Sequence, residues 1–417
     1  MKRWGALMAV VFWVTVPRAS QAISVDVGGL VKASARGVRY DPGDVRAVQD
    51  SSDDLESTAG FRLTSRTQLS DALSLEVDYE LIREGGEVTK RYSDLEGGGL
   101  SIPGRGGGDS DRFRWFDLTS EIDSSSYHTT THRLDRLSLN WELRQADIRI
   151  GRQAVTWGGG LLFNPMDLVN PFSPTDTLRD YKTGDDLASL RYTHGGGYEL
   201  QVIARPGRNA VSGEVTSEAS TVASKLHGIY GTLEADILVA RNRGYGVSGV
   251  GVSGYAGDAA WRYDLVVSDE NDGTLSTVAN MDLSWVAWNK NWYGLLEFYH
   301  NGYGTTDYGD ALTDEASLDR LARGEVFTLG KNYVATRLQV EVHPLVNLAM
   351  TAITNIDDPS GLLQPTLVWD ARDNVRLDAG ALIPWGGGET EYGGFSLPDG
   401  NSLASACEIT LRGTWFF

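Results

Sequence analysis

Leu73-Ser-Leu-Glu-Val-Asp-Tyr-Glu-Leu81 alternates without a break, with Leu73, Leu75, Val77, Tyr79 and Leu81 on one side and Ser74, Glu76, Asp78 and Glu80 on the other. A period of two is that of a β-strand with two unlike faces. The same rule sets Leu137, Leu139, Trp141 and Leu143 against Ser138, Asn140 and Glu142, and Trp261, Tyr263, Leu265 and Val267 against Arg262 and Asp264. It recurs where Val334, Leu338, Val340 and Val342 alternate with Arg337, Gln339 and Glu341, and where Val375, Leu377 and Ile383 alternate with Arg376 and Asp378. Alternation alone suits a soluble sandwich as well as a barrel, so the connections decide.

Tight turns are expected near Asp71, Gln145, 195–197, Glu234, 257–258, 290–291, Pro344 and 372–373. Between them lie longer stretches rich in Gly, Asp and Ser, near 40–57, 84–131, 155–185, 206–223, 242–245, 270–276, 302–332, 356–361 and 385–405. Short and long connections in strict alternation give about 18 strands, or about 16 if two weak segments are loop. The expected fold class is all-β: a transmembrane antiparallel up-and-down β-barrel with short periplasmic turns and long extracellular loops. Closure satisfies every backbone N–H and C=O that lipid cannot. Pro365 falls inside one expected strand, where it removes a ladder donor.

Composition narrows the alternatives. The 417 residues carry 56 Asp+Glu against 37 Lys+Arg, for a net charge of -19, with 49 Gly and one Cys. No run of about eighteen apolar residues occurs, which excludes a helical membrane protein, and one Cys excludes a disulfide scaffold. An acidic chain is a poor partner for a phosphate backbone, so nucleic acid is not expected. Lys2 and Arg3 precede an apolar run and Ser20-Gln21-Ala22 supplies small residues for cleavage, so residues 1–22 are expected to be a secretory signal peptide and 23–417 the barrel. Its removal takes away Lys2, Arg3 and Arg18 and no acid, leaving the mature chain more acidic still.

The end of the chain agrees. Ile409, Leu411, Gly413, Trp415 and Phe417 share a face. This resembles the terminal strand of Gram-negative outer-membrane proteins, which implies reading by the barrel-assembly machinery through Phe417. Trp285, Trp288, Trp292 and Tyr293 bracket an expected tight turn, as in the aromatic girdle of a barrel. With apolar residues toward lipid, the expected pore-lining set is Arg62, Arg66, Glu76, Asp78, Glu80, Glu142, Arg149, Arg191, Arg262, Asp264, Arg337, Glu341, Arg376, Asp378 and Arg412. These charges either set ion preference or pair across strands and fill the interior.

Residues 155–185 form the most distinctive loop. It is apolar (Leu161, Leu162, Phe163, Met166, Leu168, Val169, Phe172) and stiffened by Pro165, Pro171 and Pro174. An apolar loop must bury itself, either inside the barrel or as a lid on other loops. The expectation is an infolded constriction carried by Trp157, Phe163, Asn164, Pro165, Asp167, Asn170, Pro171 and Phe172. Trp385-Gly386-Gly387-Gly388 echoes Trp157-Gly158-Gly159-Gly160. That echo reads as a second such loop or as two flexible exits.

Gly151-Arg152-Gln153 before Trp157-Gly158, then Asn164-Pro165, Asp167 and Asn170-Pro171, resembles a group of largely uncharacterised porin-like outer-membrane barrels. The Gly-Arg-Gln strand end is also similar to that of alginate-export barrels. The detailed likeness covers residues 151–186. Likeness to the exporters implies a polysaccharide conduit as one function, which calls for a basic pore, whereas the lumen residues here are mixed in sign.

No Gly-x-Ser-x-Gly, His-Glu-x-x-His or phosphate loop occurs, and His128 and His132 lack a third metal ligand. The expected function is passive diffusion of small hydrophilic solutes through an outer-membrane channel, with no catalytic residues and no cofactor or metal. Outer-membrane lipid and lipopolysaccharide are the expected surroundings. An export conduit or barrel partner of an envelope complex, and a plugged barrel acting as a surface enzyme or adhesin, are the alternatives.

Overall fold

The computed structural model describes residues 23–47, 53–97, 111–174, 181–209, 211–270, 273–312, 314–397 and 400–417. The expected signal peptide, 1–22, lies outside the described residues. The wall begins with β1 (Ser24–Arg39), β2 (Asp53–Ser70), β3 (Leu73–Gly86), β4 (His128–Glu142), β5 (Ala146–Gln153) and β6 (Asp185–His194). It continues through β7 (Tyr198–Arg208), β8 (Val215–Tyr230), β9 (Leu233–Asn242), β10 (Tyr245–Ala256), β11 (Ala259–Ser268) and β12 (Thr274–Ala287). The last third is β13 (Lys290–His300), β14 (Asn332–His343), β15 (Val346–Asn355), β16 (Ser360–Arg372), β17 (Val375–Trp385) and β18 (Cys407–Phe416).

Each strand pairs antiparallel with the next, and β1 pairs with β18 from Leu30↔Phe416 to Arg39↔Cys407, so 18 strands close the barrel. The seam continues past β18, where Gly29 and Phe417 exchange both backbone hydrogen bonds at 3.0 Å. Phe417 also stacks on Phe61, with ring centroids 6.2 Å apart. Closure leaves no sheet edge for lipid to meet.

The connections separate by end with one exception: the expected longer connection at 242–245 is a two-residue turn, 243–244, at the long-loop end, where Arg243 (φ 49°) and Gly244 (φ 88°) adopt the left-handed backbone. At one end lie turns of two or three residues, among them 71–72, 143–145, 195–197 and 231–232. The expected turn at Glu234 falls at 231–232 and that at 290–291 falls at 288–289, because Trp288 and Asn289 adopt the left-handed backbone (φ 53° and 56°) that a two-residue hairpin requires. At the other end lie the long connections, which include 87–127, 154–184, 301–331 and 386–406. Pro365 is tolerated because the β16–β17 ladder has a gap between Leu363↔Ile383 and Thr366↔Gly380, so its missing N–H breaks no pairing there.

Apolar residues line the outer surface, with Leu137, Leu139, Trp141, Ile150, Ile409, Leu411 and Trp415 all exposed. Arg152 shares the outer face of Ile148 and Ile150, an unusual place for a charge. It is fully covered there: it pairs with Asp186 at 2.8 Å and Asp111 at 2.9 Å, and donates to the Phe116 carbonyl at 2.8 Å. Residues 111–118 thus fold over the outside of the wall and seal that pair. Gln153, next in the chain, points inward and donates to the Leu187 carbonyl at 3.1 Å.

Candidate functional site

Residues 155–174 enter the barrel instead of standing above it. Trp157, Phe163, Met166 and Val169 are buried, and they pack on inward-facing residues of the wall. Trp157, Met166 and Val169 meet Leu187, Ile203, Leu238 and Val266 from β6 to β11. Phe163 meets Val278, Tyr299, Tyr333 and Ile353 from β12 to β15, stacked on Tyr299 with centroids 4.6 Å apart. The interior of this barrel therefore holds an apolar core on one side. That core forms because a chain segment is available to cover inward apolar side chains that water would otherwise touch.

The apolar contact is keyed by two carboxylates from the wall. Glu297 accepts three successive backbone N–H groups, from Leu161 at 2.7 Å, Leu162 at 3.0 Å and Phe163 at 2.8 Å. Asp264 accepts the Gly159 N–H at 2.6 Å, and Asn280 bridges the two by donating to the Gly159 carbonyl and to Glu297. A carboxylate that collects converging N–H groups is a charge-assisted clamp, and such bonds are roughly twice as strong as neutral ones. The tip needs its glycines: a Cβ on Gly160 would lie 1.8 Å from the Phe163 carbonyl oxygen, and Gly158 has φ +93°. Trp157 Nε1 donates to Gln201 at 2.5 Å and Asn164 caps the turn through the Trp157 carbonyl.

The returning leg is tied to the entering one by Lys182. Its ammonium donates to both Asp167 oxygens and to the Val155 carbonyl, and Arg136 Nη2 in the wall donates to the Lys182 carbonyl at 2.5 Å. Burial raises Asp167 to about 6 against the pull of Lys182, and burial also lowers Lys182. An acid whose folded value lies above its ordinary 3.8 binds its proton more tightly when folded. Its charged form costs stability at neutral pH, and that cost disappears as pH falls from 6 toward 3.8, while Lys182 loses its counter-charge. Acidifying the bath from neutral to about pH 5 is therefore expected to favour the docked loop, because the docked carboxyl takes up a proton more readily than the free one. Open-channel current noise should fall as pH is lowered, with a midpoint near 6, and Asp167→Asn should abolish that titration.

With the loop pressed on one side, the space left runs along β1–β3 and the inner faces of β17 and β18. A cavity of about 680 Å³ lies there, bounded by Lys32, Ser34, Arg36, Thr58, Arg62 and Glu80 of the wall and by Asn170, Pro171, Phe172, Tyr181 and Lys182 of the loop. Arg62 is the best-held cation in it, bonded to Asp78 at 2.6 Å, Glu80 at 2.8 Å and Asp135 at 3.0 Å, with the Tyr181 ring centroid 3.5 Å from the guanidinium carbon. Leu312 and residues 314–329, with the helix Glu315–Arg323, roof the cavity. This roof is tied to the far rim by Arg320–Glu270 and by Glu325, which pairs with Arg243 and Arg323.

The other expected lumen residues sit elsewhere on the inner face. Arg262 pairs with Asp282 at 2.6 Å, Arg412 with Asp378 at 3.0 Å, and Arg337 donates to Thr351 at 3.0 Å. Arg66 and Arg149 share Glu76 at 3.6 and 3.8 Å, and Asp264 serves the loop. Glu142, Arg191, Glu341 and Arg376 lie close to the short turns, bonded to Asn140, Asp147, Asn291 and Asp370. Of the expected set, the cavity wall takes only Arg62 and Glu80.

No family model matches the sequence, and no curated protein matches it. Solved structures do. OccK11 (OpdR) of Pseudomonas aeruginosa is 12% identical, with a TM-score of 0.53 over 94% of this chain and 95% of that one. A BenF-like porin from Pseudomonas fluorescens Pf-5 is 10% identical, with a TM-score of 0.53 over 94% and 98%. The fold is that of an outer-membrane porin. Wzi of Escherichia coli, an outer-membrane protein involved in group 1 capsule assembly and a carbohydrate-binding β-barrel, is 8% identical, with a TM-score of 0.53 over 93% and 84%.

Within this porin fold the docking residues Glu297, Asn280 and Gln201 were not legible as site residues. One signal was present. Ile237, Leu238 and Val239 are three apolar residues in a row, and only Leu238 points inward, fully buried, while its neighbours are more than half exposed. Unbroken apolar runs in a porin strand mark places where something inside covers the wall. At the rim, His128 bonds Asp123 at 2.8 Å and Ser125 at 2.9 Å. Ser125 Oγ already accepts the N–H groups of Tyr127 and His128, so this row caps a hairpin turn. His132 packs by Tyr79, and no metal-ligand cluster occurs among the described residues.

The Trp385 echo takes a different path. Residues 386–394 turn at the long-loop end, where Thr390 and Gly394 exchange backbone hydrogen bonds, and Tyr392 reaches the apolar cluster around Phe163. Glu391 beside it accepts Tyr333 Oη at 2.6 Å, the Leu329 N–H at 2.7 Å and Asn355 at 2.8 Å, which fastens the roof from the opposite side to Glu325.

Proposed function

We propose that this chain is a passive diffusion channel for small hydrophilic solutes across the outer membrane, with residues 155–174 as its constriction. The observation that carries the reading is the one-sided docking of this loop, which leaves a cavity of about 680 Å³ between it and β1–β3 instead of filling the lumen. A solute moves down its own gradient, and the loop sets the width. Pore-lining charges that are mostly paired make the channel weakly ion-selective. In this reading residues 1–22 direct secretion, the assembly machinery reads the strand ending at Phe417, and the apolar outer surface faces lipid and lipopolysaccharide.

Single-channel recording of the refolded mature protein in a planar bilayer, under a salt gradient, tests it. The expected result is a steady conductance with a reversal potential near zero. A folded, heat-modifiable barrel that stays silent would overturn passive diffusion and favour a closed binding barrel.

A further inference from the structure

The outer face of β5–β7 carries charge where a barrel wall meets lipid. Arg152 and Asp186 stand roughly 20 Å along tilted strands from the turns at 143–145 and 195–197, inside an apolar band about 25 Å tall. Uncovered, this pair would lie among acyl chains, where charge is costly. Residues 111–116 cover it: Asp111 joins Arg152 at 2.9 Å, and the Phe116 N–H donates to Asp186 at 2.7 Å.

The cover turns aromatic rings outward. Trp115 and Phe116 are both exposed and stacked on one another, with centroids 4.7 Å apart. Arg208, at the end of β7, holds them to the wall: Nε donates to the Arg114 carbonyl at 2.9 Å and Nη2 to the Trp115 carbonyl at 2.6 Å. Nη1 donates to the Gly213 carbonyl at 2.7 Å, in the loop whose Val211 is 94% exposed. Among the described residues Arg208 therefore meets carbonyls and no acid, and one N–H on each terminal nitrogen has no acceptor. Its side chain is only partly covered. Arg208 stands about 28 Å along its tilted strand from the turn at 195–197, just above the apolar band, where hydrocarbon gives way to headgroups. On a chain of net charge -19, a partly exposed cation without an acid is a local exception. At that depth its complement is an anionic headgroup, and the exposed ring pair beside it suits that lipid's acyl chains.

We propose that residues 111–118 and Arg208 form a docking site for one lipopolysaccharide molecule of the outer leaflet. A phosphate of its lipid A anchor accepts the spare N–H groups on Nη1 and Nη2 of Arg208, and its acyl chains lie on Trp115 and Phe116. This rests on the reading that the outer surface faces lipopolysaccharide, and not on conductance.

The experiment titrates the folded mature barrel in detergent micelles with purified lipid A and counts bound molecules by native mass spectrometry. One lipid A should bind per barrel, about 10-fold more tightly than either lipid A stripped of its phosphates or phosphatidylglycerol, the loss of one charge-assisted contact. Arg208→Gln should bring phosphorylated and stripped lipid A to equal affinity. Trp115→Ala should weaken both forms alike, about 5-fold, because it removes apolar contact only. New protease cleavage within 111–118 would show that Arg208→Gln has lifted the segment, and the comparison of lipids on the parent protein then decides. Equal affinity of the parent for phosphorylated and stripped lipid A overturns the site, and phosphatidylglycerol binding as tightly as lipid A overturns its assignment to lipopolysaccharide. A conducting barrel without the preference loses the site and keeps the channel. A silent barrel with the preference keeps the site and loses the channel.

Discussion

Deleting residues 159–180 is expected to raise single-channel conductance about two-fold or more, because an 18-stranded barrel without an inner segment encloses an open aqueous lumen. The deletion is geometrically mild. Lys182 reaches the Val155 carbonyl, so the two legs of the loop already run side by side where the shortened chain rejoins. Wall strands lose no ladder hydrogen bonds, since none of the described residues between 154 and 184 pairs in the barrel sheet. Glu297 and Asp264 lose their N–H partners but face water in the emptied lumen, which hydrates them. The shortened protein should therefore fold and remain heat-modifiable. A folded deletion variant with unchanged conductance would show that the loop does not set the width.

Glu297→Ala should free the same loop without shortening it. The carboxylate accepts three consecutive N–H groups from the loop tip and one from Asn280. Hydrogen bonds to a charged group contribute roughly 1.5–3 kcal/mol each, but the freed N–H groups regain water, so the net loss of docking is about 3 kcal/mol. That is a shift of about 100-fold toward the undocked loop. Recordings should show long-lived higher-conductance states and greater susceptibility to protease between residues 155 and 174. Glu297→Gln should be intermediate. Its one carbonyl oxygen can still serve Leu162 and Phe163, which share Oε1, while the Leu161 N–H faces an amide. Equal behaviour of both variants and the parent would mean that the apolar contacts of Trp157, Phe163 and Met166 hold the loop without the clamp.

The wall was readable where lipid lies on one side and water on the other. In β3, Leu75 and Tyr79 turn outward while Ser74, Asp78 and Glu80 are buried within, as the alternation requires. Turn positions were read to within about two residues; at 288–289 the turn itself holds Trp288, and Trp285, Val286 and Trp292 flank it, so that turn looks like strand in the sequence. Along β9, β13 and β14 the two-residue period blurs. Leu238, Leu295 and Ala335 point inward and are as apolar as their outward neighbours, because the infolded loop turns that part of the lumen into a dry core.

The charges followed the same division. Arg62 and Glu80 could be placed on the inner face from their positions in the strands. That Arg62 bonds three acids and lies against Tyr181 depends on Asp135 from β4, two strands away, and on a loop residue more than one hundred positions away.

By itself the sequence determined the closed barrel, a strand count of about 18 or 16, its two unlike ends and the segment too apolar to stand in water, and the structure settled the count at 18. Those are consequences of local periodicity, turn chemistry and the solvents on either side of a wall, and each is written within about ten residues. Only the tertiary structure decided which side of the lumen the loop occupies, which carboxylates clamp it, and where space remains. Those outcomes depend on Glu297 and Asp264 meeting backbone N–H groups, and Asn280 a backbone carbonyl, more than one hundred residues earlier in the chain, a meeting that barrel closure creates and no local pattern encodes.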